Sequence, residues 1–368
     1  MGSLLCSASR TKSIDWGSTL PKIRVGVIGA GSWAVASHLP NLAKDKDVEF
    51  VGVSRKGAEM LEKIKSDFNF QVASENYQDV LDAGVDLCII GSPTGLHHEH
   101  AMAALKSGAH VLCEKPVTIE PSEAWEIDET AKELNRHLVI AFGWNYLPML
   151  QRAKELMLKR GIGELEQMSI TMSSQCRELL SNTGAYPDSS PESVPEQSTW
   201  TDPRVSGGGY GQAQLSHALG MGLWLTDSRI ASGFAMMSAP MAAPVELHDA
   251  ITYKFDNGAI GVVSGGSAHV KAHRDAHALE VRAIGSKGQL LVDIERAAVW
   301  LYDGKENIDV SLGEKDGQYN CDGPIDAILK AAKGEEFINQ SPGHLGARTV
   351  EALDIAYRSA ASGKLEHR

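Results

Sequence analysis

Between Lys22 and Asn145, apolar residues fall into two alternating rhythms. "KIRVGVIG", "VEFVGVS", "VDLCIIGSP", "HVLCEKP" and "HLVIAFGWN" are short, nearly unbroken apolar runs, the pattern of strands buried on both faces. Between them, "SWAVASHLPNLAKD", "AEMLEKIKSDF", "HHEHAMAALKSG" and "SEAWEIDETAKELN" repeat apolar positions at helical spacing. The last of these opens at Ser122, with Glu123 and Glu126 in its first turn, a helix-start signature. Strands alternating with helices in this way predict a parallel, doubly wound sheet.

Beyond Asn145 the rhythm changes. A helical stretch, "MLQRAKELMLKRG", precedes strand-like "ELEQMSITMSS"; a polar, Ser- and Pro-rich loop is expected from Asn182 to Ser206, and a Gly-rich helix entry at Gly207. Then come "ASGFAMMS", "DAITYKFDNG", "AIGVVSGGS", "ALEVRAIGSKG", "QLLVDIE" and "AAVWLYDG", apolar runs broken by Gly turns. Asn257-Gly258 and Asp303-Gly304 are hairpin turn pairs, so these runs predict an antiparallel meander. A closing helix is expected from Gly346 to Ala361, and no internal repeat is present. The predicted division is a flexible leader (1–21), a doubly wound α/β domain (22–143), an α+β domain with a large, mostly antiparallel sheet (144–345), and a C-terminal helix and tail (346–368).

Charge and cysteine content narrow the setting. The 368-residue chain carries 35 basic and 47 acidic side chains, a net −12, with no basic stripe. That disfavours nucleic acid, whose phosphates need clustered Lys and Arg. No apolar run reaches the roughly 18 residues of a membrane span, so no membrane partner is expected. The 5 cysteines form no CxxC pair, which suits reduced thiols in a cytoplasmic setting.

Candidate chemistry begins at "VGVIGAGSWA". Gly29, Gly31 and Ala34 form G-x-G-x-x-A directly after a strand and at the opening of a helix. Gly29 permits the tight turn, Gly31 lets a diphosphate approach the backbone, and Ala34 lets helix and strand pack closely. With Ser32 and Trp33 they are the expected dinucleotide-binding turn. The next strand ends in Ser54, Arg55 and Lys56, with no carboxylate for a ribose 2′-hydroxyl. A hydroxyl and two cations suit a 2′-phosphate, which favours NADP while leaving NAD possible. "HHEH", His97 to His100, sits at a helix start without a second ligand set, and His269, His273 and His277 lie in strand and loop, where their spacing gives no common ligand face. No metal site is expected. Met236 and Met237 read as core; Trp144 and Trp200 fit either a pocket wall or packing.

Four stretches, "VGVIGAGSWA", "GSPTGLHHEHAMAALKSGAHVLCEKP", "GWNY" and "WTDPRVSGGG…H", follow one another over about residues 22 to 362. In this the chain resembles the glucose–fructose oxidoreductase, inositol dehydrogenase and MocA-type family. The resemblance implies an N-terminal Rossmann domain, a C-terminal antiparallel sheet through which copies pair as dimers or tetramers, and a sugar, cyclitol or similar polyol as substrate. It implies that Lys115 contacts the substrate hydroxyl and the nicotinamide ribose, that Glu114 orients it, and that Pro116 follows a cis peptide. Ser92 and Pro93 would line the dinucleotide, with His97 closing that motif. His217 would pair with Lys115 in proton transfer. Apart from the resemblance, Asn145, Tyr146, Tyr210 and Gln214 are expected to position the substrate, with Trp200 a candidate for the pocket wall.

The chain departs from the family pattern twice. Ala213 stands where many members carry Asp, and Leu147 where an arginine often follows "NY". A buried lysine beside a cationic ring has a lowered pKa, suited to moving the proton that accompanies hydride transfer. The expected activity is thus NADP-favouring oxidoreduction of a CH–OH group. Two other readings are weighed against it: transient oxidation serving elimination, hydrolysis or isomerisation of a sugar derivative, and a non-catalytic dinucleotide sensor. Retention of both Lys115 and His217 argues against the sensor.

Overall fold

The apolar runs of the first 140 residues assemble into a six-stranded sheet: β1 (Ile23–Ile28), β2 (Val48–Ser54), β3 (Val72–Ser74), β4 (Leu87–Ile90), β5 (His110–Cys113) and β6 (Leu138–Ile140). All pairings are parallel and the order is β3-β2-β1-β4-β5-β6. The order reverses between β1 and β4, which opens a crevice at the carboxyl ends of these two strands. The computed structural model describes residues 22–186, 196–270, 277–313, 316–319 and 321–368. The leader 1–21, His273 and the side chain of His277 lie outside the described residues.

The second sheet holds nine strands: β7 (Leu165–Ser174), β8 (Ile230–Ser238), β9 (His248–Phe255), β10 (Ile260–Ser267), β11 (His277–Gly285), β12 (Gln289–Asp293), β13 (Ala298–Tyr302), β14 (Asn307–Asp309) and β15 (Glu366–His367). Their order, β14-β13-β12-β11-β7-β10-β9-β8-β15, corrects the simple meander. β7, ten residues with alternating burial, inserts between β10 and β11, parallel to the first and antiparallel to the second. The sheet is mostly antiparallel as expected. Its inner face, including Ile251, Tyr253 and Phe255 of β9, packs against the helices Ser216–Thr226 and Gly343–Ser362. Helix Ser216–Thr226 is buried from Ser216 to Leu225, as an element apolar all round must be.

Four expectations need correction. The stretch from Asn182 to Ser206 is not all loop: short helices span Gln197–Thr201 and Pro203–Ser206, the latter started by Pro203 and capped by the Asp202 carboxylate, which accepts the Arg204 N–H at 3.0 Å. Helix Asp322–Ala332 buries Ile325, Ile328, Leu329 and Ala331 in the core of the first sheet, against β5 and β6. The 144–345 span therefore contains a helix that packs in the core of the first sheet. The final helix is longer than expected and packs on both β8 and helix Pro121–Glu133, tying the two halves together. Met236 lies on the outer face of the sheet, 66% exposed, because β8 presents it away from the helices; Met237 packs partly against the core.

Candidate active site

Three chain segments meet at the carboxyl edge of the first sheet. The first is the turn after β1. Gly29 has φ +81°, and its N–H and that of Ala30 both donate to the Ser54 carbonyl at 2.9 Å, tying the ends of β1 and β2 together. A Cβ on Gly29 would lie 2.2 Å from the Ser92 backbone nitrogen, so glycine is demanded there. Gly31 is different: a Cβ there would meet nothing closer than carbonyl oxygens at 3.9 and 4.0 Å. Its open side and the helix start beyond it provide the backbone cradle that a diphosphate fits. Ala34 is buried and packs against Gly91 at the end of β4, while Trp33 is 40% exposed. Arg55 donates to the Ala30 carbonyl at 3.3 Å, which holds its guanidinium beside this turn, with Ser54 buried and Lys56 following. Burial lowers the Arg55 pKa, and the Glu196 carboxylate opposes that.

The second segment links β4 to β5. His97 is 1% exposed; its Nε2 lies 2.7 Å from the Ser92 carbonyl oxygen and its Nδ1 2.9 Å from that of Pro116. One side chain thus joins the Ser92-Pro93 turn to the Glu114-Lys115-Pro116 turn, where the Lys115–Pro116 peptide is cis. His98 faces Glu126 and His100 faces the Ser92 hydroxyl, so the histidine run disperses to separate partners.

At the end of β5, Glu114 Oε1 meets His38 Nε2 at 2.6 Å, and Glu114 Oε2 accepts the Lys115 backbone N–H at 3.2 Å. Burial alone would raise the Glu114 pKa, but the His38 bond and the Lys115 charge outweigh it and hold the carboxyl below its usual range. His38 is 2% exposed, and its buried Nδ1 has no partner among the described residues, so the tautomer that fits donates from Nε2 to Glu114. Burial lowers the Lys115 pKa, opposed by Glu114.

The third segment is the helical turn Gly211–Leu215, continuing into Ser216–Thr226. Lys115 Nζ donates to the Ala213 carbonyl oxygen at 2.9 Å. His217 follows Ala213 by four residues, at the start of helix Ser216–Thr226. The position that lacks the family's carboxylate thus supplies a backbone acceptor instead. The His217 ring stands edge-on between Phe142 (6.4 Å between centroids, 65°) and Tyr319 (6.3 Å, 80°), and Tyr319 lies on Trp144 at 4.6 Å.

Other candidates are placed differently. Tyr210 is fully buried; its hydroxyl donates to the Met172 carbonyl and accepts from Ser174, both at 3.1 Å, so it braces β7 and offers no surface to a substrate. Asn145 Nδ2 donates to the Gln340 carbonyl at 3.1 Å, and the Tyr146 hydroxyl pairs with Ser341 at 3.0 Å, so both anchor the segment before the last helix. Trp200 packs, partly buried, against the core. Gln214 is 7% exposed, with its side-chain oxygen buried and without a partner among the described residues. Sequence reasoning missed His38, Tyr319 and Cys321. His38 had a signal, its four-residue spacing from Ala34; Tyr319 lies in irregular chain without one. Cys321 bonds to Ser37 and Tyr319, and burial pushes its thiol up to about 11.

The chain matches the model of an oxidoreductase family with an NAD-binding Rossmann fold over residues 23–142, and the GFO/IDH/MocA C-terminal domain over residues 150–291. It is 34% identical over 150 residues to glucose-6-phosphate 3-dehydrogenase of Bacillus subtilis (40% of this chain, 41% of that protein). It is 29% identical over 148 residues to D-glucoside 3-dehydrogenase of Escherichia coli (40% and 42%), so the match spans about two fifths of each relative. Levoglucosan dehydrogenase, solved in complex with NADH and levoglucosan, superimposes with a TM-score of 0.75 at 19% identity over 94% of this chain and 99% of that one. With both halves of the chain matched in order, it belongs to the GFO/IDH/MocA oxidoreductase family.

Proposed function

We propose that the protein is an NADP-favouring dehydrogenase that oxidises a CH–OH group of a sugar, cyclitol or similar polyol, or reduces the matching carbonyl. The observation that carries this reading is the lysine amine at the sheet's carboxyl edge, bonded to the Ala213 carbonyl four residues before His217. The dehydrogenase relatives that act on glucose 6-phosphate and glucosides support the substrate class. When bound, the dinucleotide supplies the hydride acceptor. Gly29, Gly31, Ser32, Trp33, Ala34, Ser54, Arg55, Lys56, Ser92, Pro93 and His97 would hold it. Lys115, its pKa lowered by burial, takes the hydroxyl proton as the C–H bond breaks, and Glu114 holds the lysine in place. His217 shares that proton work. The test is a panel of glucosides, inositols and keto-sugars with NADP+ or NADPH, followed by nicotinamide absorbance. Turnover of at least one supports the reading; none across the panel overturns it.

The cofactor preference has its own test. Charge-assisted hydrogen bonds contribute about 1.5–3 kcal/mol. Arg55→Ala should therefore weaken NADP+ binding about 10- to 100-fold and leave NAD+ binding within about threefold, read by fluorescence titration. Equal losses for both would remove Arg55 as a phosphate reader.

Self-association belongs to the same reading. Phe234, Met236, Ile260, Val262 and Ile284 are 37–66% exposed on the sheet face that no helix among the described residues covers. Cross-strand register puts Phe234 and Val262 beside Thr252, and Ile260 and Ile284 beside Gln167, in continuous rows. Light scattering should give a dimer or tetramer, and Ile260→Glu with Val262→Glu should give monomer. A monomeric wild-type protein contradicts this.

A further inference from the structure

Lys115 is positioned by the Ala213 carbonyl, and the turn carrying that carbonyl has an anchor outside both the lysine's own loop and the dinucleotide crevice. The Gly209 N–H lies 2.8 and 2.9 Å from the two carboxylate oxygens of Glu246, and the Gly211 N–H donates to the same carboxylate at 3.1 Å. The Tyr357 hydroxyl, from the last helix, donates to Glu246 at 2.5 Å and accepts the Gln212 N–H at 3.1 Å. Next, the Ala213 N–H donates to the Gly209 carbonyl at 2.9 Å. An unbroken path of hydrogen bonds therefore runs from Glu246, through the first turn of the helix, to the acceptor of the catalytic amine.

A second carboxyl group sits beside it. Asp249 is 3% exposed, and both its oxygens are buried without a hydrogen-bond partner among the described residues. It faces the helices from β9, cross-strand from Gly265, on which the Tyr210 ring rests. Glu246 is the charged neighbour that acts on it. The hydroxyls around it belong to Tyr210, Tyr253 and Tyr357, and each is committed elsewhere, to Met172, Ala352 and Glu246 respectively. Of the two carboxyl groups, Glu246 collects three donors, which oppose the burial that holds its pKa above the usual range and suit the ionised form, while Asp249 collects none among the described residues and suits the protonated form.

We propose that Glu246 and Asp249 form a one-proton carboxyl pair that positions the catalytic lysine, Glu246 clamping the helix start as the anion while Asp249 stays neutral beside it. Loss of the Asp249 proton puts a second buried negative charge against Glu246, and the clamp on Gly209, Gly211 and Tyr357 loosens. Burial, reinforced by Glu246, pushes the Asp249 carboxyl up to about 8. The folded pKa thus lies above that of the unfolded chain, about 3.9. The protonated form is the one the fold favours, so stability falls as pH rises between those values and levels off above about 8.

The catalytic half of this inference rests on the dehydrogenase reading; the stability half does not. The test measures Tm from pH 5.5 to 9.5, together with kcat/KM against pH and dinucleotide affinity, for the wild type, Asp249→Asn, Glu246→Gln and Tyr357→Phe. Wild-type Tm is expected to fall across this range up to about pH 8, and Asp249→Asn to flatten that slope and move the alkaline loss of kcat/KM upward. Glu246→Gln is expected to lower kcat/KM about tenfold, and Tyr357→Phe less, with dinucleotide affinity held within about twofold. If Asp249→Asn keeps the wild-type Tm profile, the proton pair is overturned. If Glu246→Gln and Tyr357→Phe both match the wild type in kcat/KM, the positioning role is overturned. Should Glu246→Gln fail to fold, Tyr357→Phe and Asp249→Asn decide both points. Should no sugar turn over, the Tm profiles still decide the pair, and only the dehydrogenase reading fails.

Discussion

Replacing Lys115 with methionine should lower kcat/KM for sugar oxidation by about three orders of magnitude, while NADP+ still binds within a few-fold of the wild type. Positioned general acid–base groups contribute about 10²- to 10⁴-fold, and methionine keeps the apolar stem while removing the amine. Among the described residues the amine's hydrogen-bond partner is the Ala213 carbonyl, in a turn that other bonds already hold, so the fold loses little. The sign of the pH dependence is a second mark. Burial lowers the lysine pKa, so the free base appears at lower pH than for an ordinary lysine, and oxidation rises with pH through that range. The methionine variant should lose this rise. Steady-state assays from pH 6 to 10 measure both effects, and near-normal turnover in the variant would remove Lys115 from the chemistry.

Gly29→Ala should both destabilise the protein and abolish dinucleotide binding, whereas Gly31→Ala should affect binding alone. At Gly29 the φ of +81° costs an L-residue about 1–2 kcal/mol, and a Cβ 2.2 Å from the Ser92 nitrogen forces the ends of β1 and β4 apart. Overpacking of this kind adds about 1–3 kcal/mol. The sum, about 2–5 kcal/mol, is a large fraction of the roughly 5–15 kcal/mol that holds a domain together. At Gly31 a methyl meets no protein atom closer than 3.9 Å, so Tm should barely move; the methyl would instead occupy the ground a diphosphate needs. Thermal unfolding and fluorescence titration on both variants check the contrast. Equal Tm losses, or NADP+ binding retained by Gly29→Ala, would contradict this account of the turn.

Local pattern carried much of the architecture. Five of the six strands of the first sheet announced themselves because both their faces are buried. β3 did not, since its three residues are only half-buried at the sheet edge. The insertion of β7 between β10 and β11 is a tertiary choice among strands of similar pattern, and no turn signal encodes it. Helix Asp322–Ala332 joins the first sheet from some 180 residues downstream of β6, a return that sequence spacing does not reveal. In the site, motif residues close together in the chain could be named: the glycine turn, Ser92, and Glu114 to Pro116. Tyr210 shows the limit. Its position in a glycine-rich helix entry suggested a substrate contact, yet the ring rests on Gly265 and its hydroxyl turns into β7. The Glu246–Tyr357 anchor is assembled from residues 111 apart and had no local signature.

The measurement that bears most directly on the central claim is a single turnover: protein loaded with one equivalent of NADP+ is mixed with an accepted sugar, and reduced nicotinamide and sugar product are quantified together. The expected result is reduced nicotinamide rising to about one per chain, with a keto-sugar in equal amount. Sugar converted with no accumulation of reduced nicotinamide would contradict it, and would mean that the residues gathered around Lys115 serve a different reaction.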